Sequence, residues 1–264
     1  MDLSKDEKLA ILRAADELIG EGGRNLLVKI LKGSREKKVL ELELDQSPVY
    51  GYLHSETIAA ITEKLDWMIE HDFLEISYSG KLPMIVYTSR GWEIEADQRA
   101  DEFLIGWNRL LMEGAAIPDM EYLKDRNRHM IFLFLDKIRK TGDTKYIPLL
   151  EEWEKIEYKK VRAKIQDTIL SIKENTPIDL ESVHQREAEI EEALEGERLH
   201  DFQLKCWDCG SRYILTIEEK TFLNKKDYIF RNDVKDAENS GSMGTNLILL
   251  KIAKMAMYSL KMKD

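Results

Sequence analysis

The chain has 264 residues, 43% of them apolar, with a formal net charge of −10 and two cysteines, Cys206 and Cys209. That length supports one or two packed cores, two cysteines exclude a disulfide-stapled secreted domain, and no run of about 18 apolar residues marks a membrane span. The acidity argues against a general nucleic-acid coat, because phosphate binding draws on clustered Lys and Arg.

The opening residues 1–6 carry no apolar signal core, so a cytoplasmic protein is expected. Residues 1–21 form an N-terminal helix in this reading. Leu9, Leu12, Ala15, Leu18 and Ile19 recur at helical spacing, and Gly20-Glu21-Gly22-Gly23 ends the run. A second helix covers about 24–32, with Leu26, Leu27, Ile30 and Leu31 on one face. Gly33-Ser34 breaks it, and Ser34 is the expected N-cap of the basic turn Arg35-Glu36-Lys37-Lys38. Residues 22–40 hold six cations against one acid, a local balance of +5 that leaves a basic stretch open to a polyanion. Ser55 is expected to cap a helix running to about 71, with Ile58, Ile61, Leu65, Met68 and Ile69 as its buried stripe. Residues 73–78 alternate like a strand. Ser79-Gly80-Lys81 is a turn, residues 84–88 return, and Pro83 suits an edge position. Three helices followed by a ribbon is the order of a winged helix-turn-helix, assigned to residues 22–96.

Residues 97–175 read as helical throughout. Residues 176–200 read as an acidic linker or helix, and residues 174–201 hold ten acids against Arg186 and Arg198. Residues 201–238 form a small mixed module around the cysteines. Residues 239–264 begin with a Gly/Ser-rich joint and end in a helix over 247–262. The expected fold class is mainly α with small β elements (α+β).

Residues 24–92 resemble the winged-helix RQC (RecQ C-terminal) module of RecQ-type DNA helicases. Leu31-Lys32-Gly33-Ser34-Arg35 is similar to that module's helix-to-phosphate turn. Tyr50-Gly51-Tyr52-Leu53-His54-Ser55 resembles its glycine loop, and residues 66–74, the ribbon and Thr88-Ser89-Arg90-Gly91 resemble its last helix, wing and closing segment. A stand-alone RQC-minor type of protein fits better than a helicase, because no G-x-x-x-x-G-K-[ST] loop is present to cradle a nucleoside triphosphate. The resemblance implies that the module grips duplex backbone, with Lys32, Ser34 and Arg35 at the phosphate-contacting turn, and that the wing can pry an end base pair.

The residues themselves point the same way. A Gly-Ser break is expected to open backbone N–H groups at a helix start, where the dipole favours an anion. Arg35, Lys37 and Lys38 add charge there; the bland alternative is a solvated basic face. Ser55 opens the following helix. Tyr78 and Lys81 at the wing tip offer a stacking ring and a cation. Glu56 would repel phosphate, so recognition of ends, forks or junctions is expected rather than sequence reading.

Residues 143–150 and 161–165 resemble HEAT-type repeats, whose surface Lys137, Arg139, Lys140, Lys159, Lys160, Arg162 and Lys164 either extend a basic track or are ordinary solvated lysines and arginines. Cys206-Trp207-Asp208-Cys209 resembles the first half of a treble-clef zinc ribbon, but the second C-x-x-C is missing, and a structural zinc needs four ligands. Three readings stay open: a ribbon without metal, packed on Trp207, Tyr213, Phe222 and Phe230; a weaker zinc site completed by Asp233 and Asp236 or by His200; or a redox pair. No cofactor is expected beyond that zinc. No catalytic constellation is legible, so the expectation is a non-enzymatic protein that binds DNA ends, forks or junctions, with a protein partner for the helical region and no membrane. The alternative is a protein-interaction adaptor built on a repurposed winged helix.

Overall fold

The structure is a computed structural model and describes residues 2–19, 21–79, 82–177, 179–195, 202–205 and 212–216. These fall into two units, residues 1–198 and 199–264.

The first unit begins with α1 (Lys5–Asp16). Its start is a capping box: Ser4 Oγ accepts the Glu7 N–H, and the Glu7 carboxylate accepts the Ser4 N–H. Of the periodic residues, Leu12, Ala15 and Leu18 are buried and Leu9 is half-buried, whereas Ile19, expected on the same face, lies beyond the end of α1 and is exposed. α2 (Arg24–Lys32) packs on α1 and on α4 (Ile58–Glu70), with the short α3 (Lys37–Glu41) between them in sequence. β1 (Leu74–Ser79) and β2 (Leu82–Tyr87) pair antiparallel, from Leu74 opposite Tyr87 to Ser79 opposite Leu82. The Ile85 N–H donates to Gly22 O at 3.0 Å, which seats the hairpin on the turn before α2. The mainly helical α+β class and the helix-then-ribbon order are present.

Two local expectations are corrected. Thr57, not Ser55, caps α4, because its hydroxyl accepts the Ala60 N–H at 3.1 Å. Ile58 then falls on the solvent side of the first turn and is 61% exposed, whereas Ile61, Leu65, Met68 and Ile69 are buried.

α5 (Ser89–Met112) is a single helix of 24 residues that runs unbroken through residues 96 and 97, where the sequence reading placed a domain boundary. Its first half packs on α1 and β2. Its second half joins α6 (Arg128–Thr141), α7 (Ile147–Ile156) and α8 (Lys159–Lys173) around Trp107, Phe134, Tyr146 and Trp153. Trp107 meets Phe134 and Trp153 edge-on, at 4.9 and 5.9 Å between ring centroids. Where α1 meets α5, Glu95 is wholly buried, and neither carboxylate oxygen has a hydrogen-bond partner. Burial, reinforced by the charge of Asp16, pushes its pKa up to about 9.

α9 (Leu180–Glu195) lies against α5. Its C-terminal carbonyls are held by two buried cations. Lys8 Nζ donates to Leu194 O at 2.9 Å, and Arg90 Nε donates to Ala193 O at 2.6 Å, where the helix dipole favours positive charge. Lys8 also stands over the Trp67 ring, and Arg90 over Phe73. Further back, Arg186 reaches Glu93 on α5 at 3.0 Å, and the same carboxylate faces His129 on α6. Lys8→Met keeps the aliphatic stem and removes the donor. It should cost α9 about 2 kcal/mol of protection in hydrogen–deuterium exchange while leaving α5 amides unchanged.

In the second unit, β3 (Phe202–Lys205) and β4 (Arg212–Leu215) pair antiparallel, with Lys205 opposite Arg212. Cys206 and Cys209 belong to the connection between them and, like Trp207, Phe222, Phe230, His200, Asp233, Asp236 and the helix expected over 247–262, lie outside the described residues. Among the described residues, no helix is long and apolar enough to cross a membrane, and no group of three or more His, Cys, Asp or Glu is placed to hold a metal ion.

Candidate nucleic-acid interface

The basic corner is built by two glycines. Gly33 ends α2 in the left-handed region (φ 75°), and Gly51 adopts the same region (φ 71°). The two backbones pass so closely that a Cβ on Gly33 would stand 3.1 Å from Gly51 Cα. This crossing lets the loop over residues 50–56 cap α2: the Gly51 and Leu53 N–H groups donate to Ile30 O and Leu31 O, each at 2.9 Å. Tyr50 Oη donates to Ser34 O at 3.0 Å, and Lys32 Nζ donates to His54 O and Glu56 O, both at 2.6 Å. Lys32 is thus a staple between helix and loop that brings its charge to the corner with most of its donors engaged.

The expected open nest of N–H groups at Gly33-Ser34 is not formed. The Ser34 N–H donates back to Lys29 O at 2.9 Å, so these residues close the end of α2 rather than open α3. Glu36 occupies the N-cap position of α3, and Ser34 Oγ accepts its N–H at 3.3 Å. What the corner offers an anion is therefore side-chain charge.

That charge is on the surface. Arg35, Lys37 and Lys38 are all exposed. Lys29 is paired with Glu36 at 2.6 Å and Lys37 with Glu41 at 3.2 Å, whereas Arg35 and Lys38 have no ion-pair partner among the described residues. Ser55 is exposed beside this corner. Glu56 meets Lys64 at 2.5 Å, which offsets the repulsion expected from it. The proposed extension along the helical region is neutralised at two of its seven cations, whereas Arg139, Lys140, Lys159 and Lys160 have no ion-pair partner among the described residues. Lys137 pairs with Asp97 and Asp101, Lys164 pairs with Asp136, and Arg162 donates to the carbonyls of Glu154 and Glu157.

The hairpin is formed, but it docks at the other end of α2. Arg24 pairs with Asp66 at 2.6 Å, so α4 runs antiparallel to α2, and the wing meets the start of α2 while the corner lies at its end. Nine helical residues separate the two, about 13 Å at 1.5 Å per residue. Tyr78 is half-buried opposite Pro83, and Lys81 lies outside the described residues. Sequence reasoning missed Leu82, which is 66% exposed at the turn end of the hairpin, and the exposed Leu40 on α3. The only signal for Leu82 was its place directly after the turn.

Residues 4–103 match the model of the RQC domain, so the match takes in α1 and the first part of α5 as well as the winged helix. The chain is 30% identical over 69 residues to the ATP-dependent DNA helicase RecQ of Bacillus subtilis (strain 168), covering 26% of this chain and 12% of that protein. The chain thus spans about an eighth of that relative's length. No solved structure matches.

Proposed function

We propose, from the premise that residues 4–103 form an RQC domain, that this chain binds duplex DNA through the backbone, at ends, forks or junctions, without an enzymatic activity of its own. The observation that carries the reading is the exposed cationic corner at the end of α2, where Arg35 and Lys38 stand without ion-pair partners among the described residues. Phosphate contacts of this kind set register and orientation and carry no sequence information. α4 supports the same limit. Its exposed first turn presents Ile58 and Ala59, which offer no bidentate pairing to a base edge.

The corner and the wing are separated by about 13 Å, comparable with the width of the major groove, so one duplex can meet both. The wing would bring Tyr78, Lys81 and the apolar Leu82 to an end base pair, a composition suited to stacking or wedging. No nucleotide-binding loop is present in the sequence, so strand separation would be limited to what binding energy supplies. The competing reading, an adaptor without nucleic-acid affinity, rests on the net charge of −10.

Fluorescence anisotropy with blunt, forked and single-stranded DNA tests the proposal. Arg35→Ala/Lys38→Ala should weaken forked-duplex binding at least tenfold. It should also flatten the plot of log K against log salt by about 2, one unit per phosphate contact removed. Binding by the double variant that matches the wild type at every salt concentration would overturn it.

A further inference from the structure

We propose that Glu36 and Glu41 are built-in counterions of the cationic corner, each holding a lysine that a nucleic-acid phosphate takes over on binding. This deepens the function proposed above and rests on it. The two ion pairs differ from those that hold the domain together. Lys64, with a side chain only 12% exposed, clamps Glu7 and Glu56 between α1, α4 and the loop before α4. Arg24–Asp66, also largely shielded, ties α2 to α4. By contrast, Glu36 and Glu41 are 56% and 59% exposed, and their lysines, Lys29 on α2 and Lys37 on α3, are 36% and 87% exposed. The pairs lie on or beside α3, whose one buried residue is Val39. Exposed pairs of this kind contribute little to stability, so exchanging one anion for another costs little.

The arrangement has a thermodynamic signature. A free lysine that meets a phosphate releases the cation condensed on that phosphate, which makes affinity fall steeply with salt. A lysine that leaves Glu36 or Glu41 for a phosphate must first break an exposed ion pair, which salt itself weakens, so the two salt effects partly offset each other. Lys29 and Lys37 thus add attraction at the surface without adding their full share to the salt dependence, and Arg35 and Lys38 carry most of it. The acids also relieve the mutual repulsion of six cations within nineteen residues while no ligand is bound.

The test compares three variants of the full chain with the wild type, on a forked duplex, from 50 to 200 mM NaCl. Glu36→Gln/Glu41→Gln keeps side-chain size and removes both charges. It should bind about 3–10-fold tighter at 50 mM salt, with a log–log slope steeper by up to about 2. Glu187→Gln/Glu192→Gln changes the net charge equally on the exposed face of α9, away from the corner. It should leave the slope as in the wild type. Arg35→Ala/Lys38→Ala reports on the binding function itself. If that variant weakens binding while Glu36→Gln/Glu41→Gln follows the wild type, the counterion assignment fails alone. It also fails if the α9 variant gives the same gain and slope. If Arg35→Ala/Lys38→Ala binds as the wild type does, or if no form binds at 50 mM salt, the function proposed above fails and takes this inference with it.

Discussion

Gly91→Ala is expected to lower the unfolding free energy by roughly 3–5 kcal/mol, the largest loss foreseen for any single substitution here. Gly91 lies in the first turn of α5, and a Cβ built on it would stand 1.9 Å from Phe73 O and 2.9 Å from Phe73 C. The obstacle is backbone, which cannot swing aside as a long side chain would. That same carbonyl accepts the Thr88 N–H at 3.4 Å and lies 3.1 Å from Thr88 Oγ1, whose one proton it shares with the nearer Asp72 O. Thr88 also caps α5, through the Gly91 N–H at 3.1 Å. Moving the helix by the ångström or more that a methyl needs breaks the junction between hairpin and helix. Urea denaturation reads the effect, and a midpoint equal to that of the wild type would contradict the close approach.

Glu95→Gln should act in the opposite direction and stabilise the protein by roughly 3 kcal/mol at neutral pH. In the unfolded chain this carboxyl ionises near its ordinary value of 4.5, whereas burial beside Asp16 holds it protonated in the folded protein up to about 9. Between those values the folded state binds the extra proton, so stability falls as pH rises. Below about 4.5 the penalty is absent, and above about 9 it is complete. Arg13 and Arg99 offset the local negative charge only in part, since both also serve Glu102, and Arg13 serves Glu17. Glutamine removes the proton linkage. Glu95→Met further removes the buried polar atoms and should be at least as stable. Denaturation curves from pH 5 to 9 should slope downward for the wild type and flatten for both variants. Parallel pH profiles would show that Glu95 is not the titrating group.

The two predictions concern residues whose roles differ in how far a sequence can disclose them. α1, α2, α4 and the hairpin were legible because their apolar residues repeat at the helix or strand period and Gly or Pro punctuates them. The corner was legible as charge, since Arg35, Lys37 and Lys38 crowd four positions. Its internal bonding was not. Lys32 binds carbonyls 22 and 24 positions away, and Ser34 and Glu36 compete for a cap position that propensity alone cannot award. Ser55 and Thr57 are equally good caps on paper. The choice of Thr57 is what turned Ile58 outward. Glu95 was invisible because an acid inside an acidic, amphipathic helix reads as solvated until packing places α1 over it. The residues 96–98, Ala-Asp-Gln, contain no helix breaker, so the continuity of α5 was open to inspection. α9 was legible only as one of two alternatives, an acidic linker or helix, since just Val183, Arg186, Ile190, Ala193 and Leu194 make up its thin inward stripe.

The unbroken course of α5 has a mechanical consequence. A helix of 24 residues, about 36 Å long, is shared by the hairpin end and the tryptophan-rich bundle with no hinge along its length. A load on the wing is therefore delivered at Trp107 as torque on a stiff shaft, and the two ends turn together as one lever.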